Sequence, residues 1–316
     1  MRLITSISFL LFYSSLTFAQ IRTNEIGILS DNDLYTSSRN DKYYTNGLAF
    51  YYRFLGKSKS DNVLKKINEI KIGQYVYTPR FLNIEAVDIN DRPFAGYLFG
   101  GFEKGFFYAN QNVLKVALQV GTIGPNSHAK EFQENFHKAF QYREVYGWEN
   151  QIQNALGFQA HVLFSKKLFP HKNQDFIDFN WQSEADMGTI FTGISSGFVT
   201  RIGFKKLVAI SDSNLFGASL GATKSSNDEF YFYLAPSIRY QIYDATIQGS
   251  LFNGDSPLSF PINPFRFNAK AGFAYQKNNL NLSYSFVYTT KEVAESAATG
   301  FFYGSIGISY LFGSRN

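Results

Sequence analysis

The sequence contains no cysteine among its 316 residues and only two methionines. Without thiols the chain has no disulfide framework, no cysteine nucleophile and no thiolate metal ligand. After residue 19 it also has no run of about 18 apolar residues, which excludes helical membrane spans from that part of the chain. A β-barrel could still cross a bilayer, because its strands need only about 9–11 residues each.

The first 19 residues resemble a signal peptide. Arg2 is followed by an apolar run from Ile4 to Leu16, and Thr17-Phe18-Ala19 is typical of a signal-peptidase site. The alternative is an N-terminal membrane anchor, but this run is short for a span of about 20 residues. We therefore expect an exported protein, with residues 1–19 as signal peptide and residues 20–316 as one β-barrel domain of the outer membrane.

The composition favours strands. Aromatic residues make up 18% of the chain, with 34 Phe and 21 Tyr, and aromatic residues are enriched in strands. Segment 279–288 is typical of the recurring pattern: Leu280, Leu282 and Tyr284 alternate with Asn281 and Ser283. In an outer-membrane barrel the apolar face meets lipid and the small or polar face lines the lumen. In a secreted sandwich, the alternative, the polar face would meet water.

Twelve segments carry this strand signal, which fits the even strand number of single-chain barrels. We predict an all-β, transmembrane antiparallel barrel of about twelve strands, with a long surface loop at 206–227 and either one strand or two at 228–252. The candidate strands are 22–33, 45–56, 68–79, 93–104, 111–122, 150–165, 175–186, 190–205, 228–252, 266–277, 279–290 and 301–312.

One segment, 124–148, breaks the β pattern. Phe132, Phe136 and Phe140 lie at i, i+4 and i+8, the spacing of an apolar helix stripe. Gln133 and His137 share a neighbouring face. The spacing predicts a short helix in an extracellular loop, packed on the barrel by its phenylalanines. We expect the motif 91–98 to be structural, with Gly96 in tight packing at the barrel wall, and Trp148 to anchor at the membrane interface.

Polar residues crowd the stretch LSDNDLYTSSRNDKYYTN before the second strand. If the N-terminus faces the periplasm, strand one rises to Asn32 and Asp33 and strand two descends from Thr45. Strand five then rises to the helix with Gln133 and His137, so all of these residues meet at the extracellular rim. A surface turn explains part of the cluster, and a metal or active site explains more.

Six motifs together resemble the lipid A 3′-O-deacylase family of outer-membrane enzymes. They occur in the family's order over most of the chain: Asn32-Asp33, Tyr44 to Gly47, Asp91 to Leu98, Gly121 to Pro125, Gln133 to His137 and Gly147 to Gln151. The resemblance implies a twelve-stranded barrel and a calcium-dependent esterase that removes the 3′-linked acyloxyacyl group of lipid A. It departs in two places: Glu144 is shifted by one residue from the family's acid, and Asn154-Ala155 stands where relatives often have Asn-Glu.

The resemblance also implies the site residues. His137 matches the general base, with Gln133 positioning water or the base, and with Asn32, Thr45 and Glu144 at further catalytic positions. The alternative for His137 is an ordinary exposed helix histidine.

Asp33, Asn32 and a backbone carbonyl near Gly47 are candidate Ca²⁺ ligands, because calcium takes hard oxygen donors. An Asx turn is the structural alternative for the first two. A threonine nucleophile at Thr45 is the alternative to water. Arg39, Lys42 and Arg143 could pair with lipid A phosphates.

Three functions remain from the sequence. The first is the lipid A deacylase, a monomer that lies among outer-membrane lipids and acts on lipopolysaccharide. The second is a calcium-dependent phospholipase, and the third is a porin or transport barrel. The net charge of +5 suits an anionic lipid surface but decides nothing alone, and we expect no nucleic-acid partner.

Overall fold

The computed structural model describes residues 21–36, 42–58, 62–80, 90–142, 144–169, 175–221, 228–252, 254 and 256–313. These residues form twelve strands: β1 Asn24–Asn32, β2 Tyr43–Gly56, β3 Val63–Thr78, β4 Ala95–Tyr108, β5 Val113–Ile123, β6 Ala155–Leu168, β7 Ile177–Gly188, β8 Phe191–Gly203, β9 Glu229–Asp244, β10 Phe265–Lys277, β11 Leu280–Thr290 and β12 Gly300–Phe312. Each strand pairs antiparallel with its sequence neighbours, and β1 pairs with β12 to close the barrel. The predicted fold class is confirmed. The predicted signal peptide lies outside the described residues.

The barrel is apolar outside and charged inside. Ile26, Leu118 and Ile238 are each more than half exposed on the outer face. Inside, the fully buried Arg201 donates hydrogen bonds to Asp178 and Glu229. An apolar exterior over a charged interior matches an outer-membrane barrel and is wrong for a secreted sandwich. No helix among the described residues is long and apolar enough to cross a membrane.

The prediction of a surface loop at 206–227 is wrong for its described part, 206–221. The chain after β8 turns into the barrel at the terminal rim, the end where β1 begins and β12 ends. Ile210, Phe216 and Leu220 are buried there against Ile67 and Phe107 of the inner wall. This segment, 204–221, which we call the inserted segment, therefore fills the terminal end of the lumen with its residues from Leu207 onward.

One lysine of the inner wall holds the inserted segment. Lys65 donates from Nζ to the carbonyls of Ser211 (2.6 Å) and Ala218 (2.8 Å) and to the carboxylate of Asp212 (3.1 Å). A polar segment can lie inside a barrel because its backbone groups find such partners there. The loop propensities of the sequence gave no indication of this insertion.

We expect Lys65→Met to lower the free energy of unfolding. The substitution leaves two buried carbonyls without their donor, and each such loss costs about 1–3 kcal/mol. A urea titration of the refolded barrel measures the effect. Lys66→Met is the matched control, because Lys66 lies on the opposite face of β3, with its Nζ 5.8 Å from the centre of the Phe106 ring. Equal midpoints for the two variants would contradict this role of Lys65.

The uncertain segment 228–252 is one strand followed by a short helix. β9 ends at Asp244, whose side chain accepts a hydrogen bond from the Thr246 backbone N–H (3.1 Å) and so caps α2, Ala245–Gln248. The cap explains why the alternation loses phase near Ala245. At the same end of the barrel, Arg266 forms ion pairs with Asp244 and Glu292, and the fully buried Arg92 also pairs with Glu292. These ion pairs lie over the end of the lumen opposite the terminal rim.

The predicted extracellular helix is α1, Ala129–Phe140. It lies against the outer face of the barrel wall, over β3 and β4. Gly96 lies on the outer face of β4, and a Cβ added there would stand 2.1 Å from Ser127 Oγ and 2.3 Å from Ala129 Cβ. The predicted tight packing at Gly96 is therefore confirmed, and its partner is the start of α1.

The predicted packing face of α1 is correct only for the first phenylalanine of the stripe. Phe132 packs against the apolar cluster of Val76, Phe94, Ala129, Val145 and Trp148. The buried residues of the helix are Ala129, Gln133 and His137, whereas Phe140 is 60% exposed. The buried face of the helix therefore continues along Gln133 and His137, and the end of the phenylalanine stripe stays outside.

Candidate active site on the lipid-facing wall

The candidate site begins at the rim where β1 ends and β2 begins, which we call the site rim. Asn32 lies on the same side of β1 as the exposed Ile26, and it pairs with Asn46 of β2. Because side chains alternate along a strand, Asn32 points to the outside of the barrel and not into its lumen. The Asn32 amide donates to Oδ1 of Asn46.

A β-bulge brings a second polar residue to this outer face. Tyr44 pairs with Tyr77 and Asn46 pairs with Val76, which leaves Thr45 as the extra residue. Thr45 Oγ1 lies 2.6 Å from Oγ1 of Thr78, and both residues are fully buried. Thr78 shares its face of β3 with Ile70 and Ile72, the exposed apolar residues of the outer wall.

Asp33 follows β1 in a short helical turn, Asp33–Tyr35. Asn32 Oδ1 accepts from the Leu34 backbone N–H (2.7 Å), so the Asx turn anticipated from the sequence is present. Asp33 is nevertheless only 3% exposed, and its Oδ2 accepts from the Lys42 backbone N–H (2.8 Å). A surface turn does not require a buried carboxylate, so the turn alone does not explain Asp33.

Residues of α1 and of the loop after it complete the site on the outer side of the barrel wall. Trp148 Nε1 donates to Gln133 Oε1 (3.0 Å), and Trp148 packs with Val76 and Phe94 beneath the helix. Gln133 is fully buried, and its Nε2 has no hydrogen-bond partner among the described residues. The expectation that Trp148 anchors at the membrane interface is wrong, because the residue is 1% exposed. Trp148 instead fixes the rotamer of Gln133.

His137 lies one turn further along the same buried face and is 6% exposed. Its ring meets the ring of Tyr142 edge-on at 5.6 Å, and its backbone carbonyl accepts from Tyr142 N (2.8 Å). An ordinary exposed helix histidine, the alternative reading, does not have this environment.

The other histidines lie elsewhere or outside the described residues. His161 is in the lumen with Nδ1 2.9 Å from Asp186, and the side chain of His128 is 72% exposed. His171 lies outside the described residues.

The structure places Glu144 at an exposed position, where it accepts a hydrogen bond from Tyr146 Oη (2.6 Å). Asn154, at the departure from the family pattern, accepts from the Asn126 backbone N–H (2.7 Å) before α1. Arg39 and Arg143 lie outside the described residues. The catalytic role of Glu144 and the phosphate contacts stay predictions.

The oxygen donors at the site rim suit a hard cation. They comprise the Asp33 carboxylate, the amide oxygens of Asn32 and Asn46 and the hydroxyls of Thr45 and Thr78. Among the described residues no group of three or more His, Cys, Asp or Glu could hold a metal ion. Ca²⁺ accepts carboxylate, amide and carbonyl oxygens. The donor set fits Ca²⁺.

Gly47 has a packing role that the sequence did not predict. It faces the lumen, where an added Cβ would stand 2.0 Å from Tyr44 Oη and 3.1 Å from Asp31 Oδ2. The absent side chain allows Tyr44 to donate to Asp31 (2.8 Å) behind the site. Coordination of calcium by the Gly47 carbonyl stays a prediction.

Fold and site together define a class: an outer-membrane β-barrel with a buried polar site on its lipid-facing wall, beneath a loop helix. The chain belongs to the LpxR family, since the family model "Outer membrane protein LpxR" matches residues 3–312. This confirms the family resemblance and the outer-membrane location.

LpxR from Salmonella typhimurium is similar in fold, with a TM-score of 0.74 and 21% sequence identity over 91% of this chain and 100% of that chain. The β domain of the Bordetella autotransporter BrkA reaches a TM-score of 0.47 at 8% identity over 92% of this chain and 100% of that chain. No curated protein matches the chain.

Proposed function

We propose that this protein is a calcium-dependent ester hydrolase that removes the 3′-linked acyloxyacyl group of lipid A in the outer leaflet. The observation that carries the proposal is the position of the site. Gln133 and His137 lie on the buried face of α1, which packs on the outer faces of β3 and β4, and Asn32 and Thr45 lie on the outer face of the adjacent β1 and β2. An ester buried at the membrane surface reaches that place from the side. A solute passing through a pore would meet the lumen instead.

His137 is the proposed general base. It takes a proton from a water molecule as the water attacks the ester carbonyl, and a histidine is suited to this transfer near neutral pH. Gln133 is held by Trp148 through its oxygen, which leaves its Nε2 hydrogens directed into the buried site. We assign Nε2 to donate to a substrate oxygen or to the attacking water.

Water is the proposed nucleophile, and Thr45 is not. The Thr45 hydroxyl is fully buried and shares its 2.6 Å hydrogen bond with another hydroxyl, that of Thr78. Activation of a threonine nucleophile requires a base within hydrogen-bond reach, and Thr78 is not a base. Thr45 is better suited to orient an oxygen of the substrate or of the metal shell.

Asp33, Asn32 and Thr45 would hold the calcium ion. A bound Ca²⁺ polarises an ester carbonyl and stabilises negative charge that develops on its oxygen. Asp33 provides the full negative charge of the set, and the amide and hydroxyl oxygens add uncharged donors around it. The strand pairing of Asn32 with Asn46 fixes the spacing of these donors before any ion binds.

The porin alternative has less support. The terminal end of the lumen is filled by segment 204–221, and the buried ion pairs of Arg92 and Arg266 lie over its other end. The space that remains includes a lumen cavity of about 420 Å³, which the side chains of Arg53 and Lys71 help to line. This arrangement does not resemble the open channel of a porin.

Mass spectrometry of lipid A tests the function directly. The refolded protein is incubated with purified lipid A, once with Ca²⁺ and once with a chelator. Calcium-dependent loss of the 3′-acyloxyacyl mass is the expected result. Intact lipid A with a folded barrel would overturn the proposal, and the same assay on glycerophospholipids then tests the phospholipase alternative.

We expect Asp33→Asn to raise the calcium concentration needed for half-maximal activity by about tenfold or more, because calcium affinity follows the charge of the ligand set. Calcium titrations of activity and of binding by calorimetry measure the shift. Asp228→Asn is the matched control, since Asp228 pairs with Lys205 at the terminal rim. An unchanged calcium requirement in Asp33→Asn would remove this residue from the metal site.

A further inference from the structure

The exposed aromatic residues of α1 and the following turn form one continuous surface beside His137. Phe136 stands 4.7 Å from Phe140 and 6.3 Å from Tyr142 between ring centres, and Phe140 stands 6.2 Å from Tyr142. Phe140 is 60% exposed and Tyr142 is 46% exposed. We call these three residues the aromatic surface.

The aromatic surface touches the proposed base directly. The Tyr142 ring meets the His137 ring edge-on at 5.6 Å. An ester whose carbonyl lies at His137 must place its hydrocarbon chain within a few ångströms of that ring. Asn32 and Thr45 on the wall and Gln133 on the buried face of the helix are polar, whereas Phe136 and Phe140 offer such a chain apolar contact.

The surroundings specify hydrocarbon as the occupant. α1 lies on the outer faces of β3 and β4, which below the helix carry Ile70, Ile72 and Phe102, all about half exposed. These residues belong to the lipid-facing belt of the barrel. The aromatic surface therefore lies on a helix that packs against the lipid-facing side of the barrel, where acyl chains are the available apolar partners.

We infer that Phe136, Phe140 and Tyr142 form the acyl-chain subsite of this enzyme, holding the hydrocarbon chain of the substrate while its ester lies at His137. The inference rests on the proposed function, because it assigns a subsite to the same ester-cleaving site. It makes the enzyme selective for long acyl chains. The free energy of binding comes from apolar area removed from water, which increases with each methylene of the chain.

Chain-length dependence of hydrolysis tests the subsite. The probes are p-nitrophenyl butyrate, hexanoate and octanoate, kept monomeric in solution. For the wild type, kcat/KM is expected to rise by up to roughly fourfold per added methylene. In Phe136→Ser/Phe140→Ser this rise flattens, so that kcat/KM falls much more for octanoate than for butyrate. Phe136→Leu/Phe140→Leu restores most of the rise, because leucine keeps the apolar surface.

Phe252→Ser is the matched control, since Phe252 is 77% exposed in the connection after α2 and lies outside the aromatic surface. It is expected to keep the wild-type dependence. A chain-length dependence that persists unchanged in Phe136→Ser/Phe140→Ser would overturn the subsite and leave the proposed hydrolase intact. Loss of butyrate hydrolysis to the same extent as octanoate hydrolysis would also overturn it, because it would show a general structural effect.

A second measurement does not depend on activity. The chain has no cysteine, so Phe140→Cys and Lys138→Cys can each carry a single bimane label in vesicles that contain brominated acyl chains. Two positions along a helix correspond to about 200°, so Lys138 marks the opposite side of α1. Quenching at position 140 and not at 138 is expected. Equal quenching at both would overturn the acyl-chain contact, even if the wild type cleaved no ester.

Discussion

His137→Ala is expected to lower the rate of lipid A hydrolysis by about 10²–10⁴-fold, the contribution typical of a general base. The substitution removes the imidazole that lies on the buried face of α1, between the helix and the barrel wall. The barrel itself should form normally, because its closure depends on strand pairing from β1 to β12. The measurement is the initial rate of loss of the 3′-acyloxyacyl mass, together with the heat-dependent gel migration of the folded barrel.

His128→Ala provides the matched control. His128 directly precedes α1, and its side chain is 72% exposed near Glu131, so its loss should leave the rate within about twofold of the wild type. Turnover in His137→Ala at the wild-type rate would remove His137 as the base. A loss of rate in both variants would instead indicate a disturbed helix.

The strands could be predicted from sequence because one rule governs them along most of the barrel. A residue such as Leu282 or Phe286 faces lipid while its neighbours face a polar lumen, and the period-2 pattern records that difference directly. The predicted boundaries deviate most at the end of β9, where the cap at Asp244 replaces alternation, and by five residues at the starts of β3 and β6. The cap depends on local hydrogen bonds that hydropathy does not report.

The face of α1 could not be predicted in the same way. The stripe Phe132, Phe136 and Phe140 implies burial only if the surface under the helix is apolar. In this protein only Phe132 meets such a surface, formed by Val76, Phe94 and Trp148, and the rest of the buried face consists of Gln133 and His137. The prediction of a surface loop at 206–227 failed for a related reason. Small polar residues such as Ser211 and Ser213 suggest a position at the surface, but they also suit the interior of a charged lumen.

Asn46 and Thr78 belong to the site because of where they lie on their strands more than because of their residue type. Neither Asn46 nor Thr78 was predicted as a site residue, although Thr78 has the same strand parity as the apolar Ile70 and Ile72. The sequence signal for such a site residue was a polar residue at the end of a series of outward-facing apolar residues. Trp148 carried no comparable signal, since its hydrogen bond to Gln133 depends on how the connection between β5 and β6 folds back on itself.

Gly96→Val is expected to abolish most of the activity while leaving the barrel intact. A Cβ at this position would stand 2.1 Å from Ser127 Oγ and 2.3 Å from Ala129 Cβ, so the start of α1 must move away from the wall. Gln133 and His137 move with it, whereas Asn32, Asp33 and Thr45 stay on β1 and β2. A displacement of about 1 Å between catalytic groups and the substrate can cost about 10²-fold in rate.

Gly100→Val is the control that separates helix displacement from a general effect of valine in β4. Gly100 lies on the same outer face as Gly96, four residues further from the site rim, and an added Cβ there meets nothing within 4 Å. Its activity should equal that of the wild type, because an outward valine only adds to the lipid-facing belt. Calcium binding by Gly96→Val should also persist, since the proposed ligands Asn32, Asp33 and Thr45 lie on the wall. Retained activity in Gly96→Val would show that catalysis does not depend on contact between α1 and the wall. Because α1 carries His137, this result would contradict an active site that includes His137.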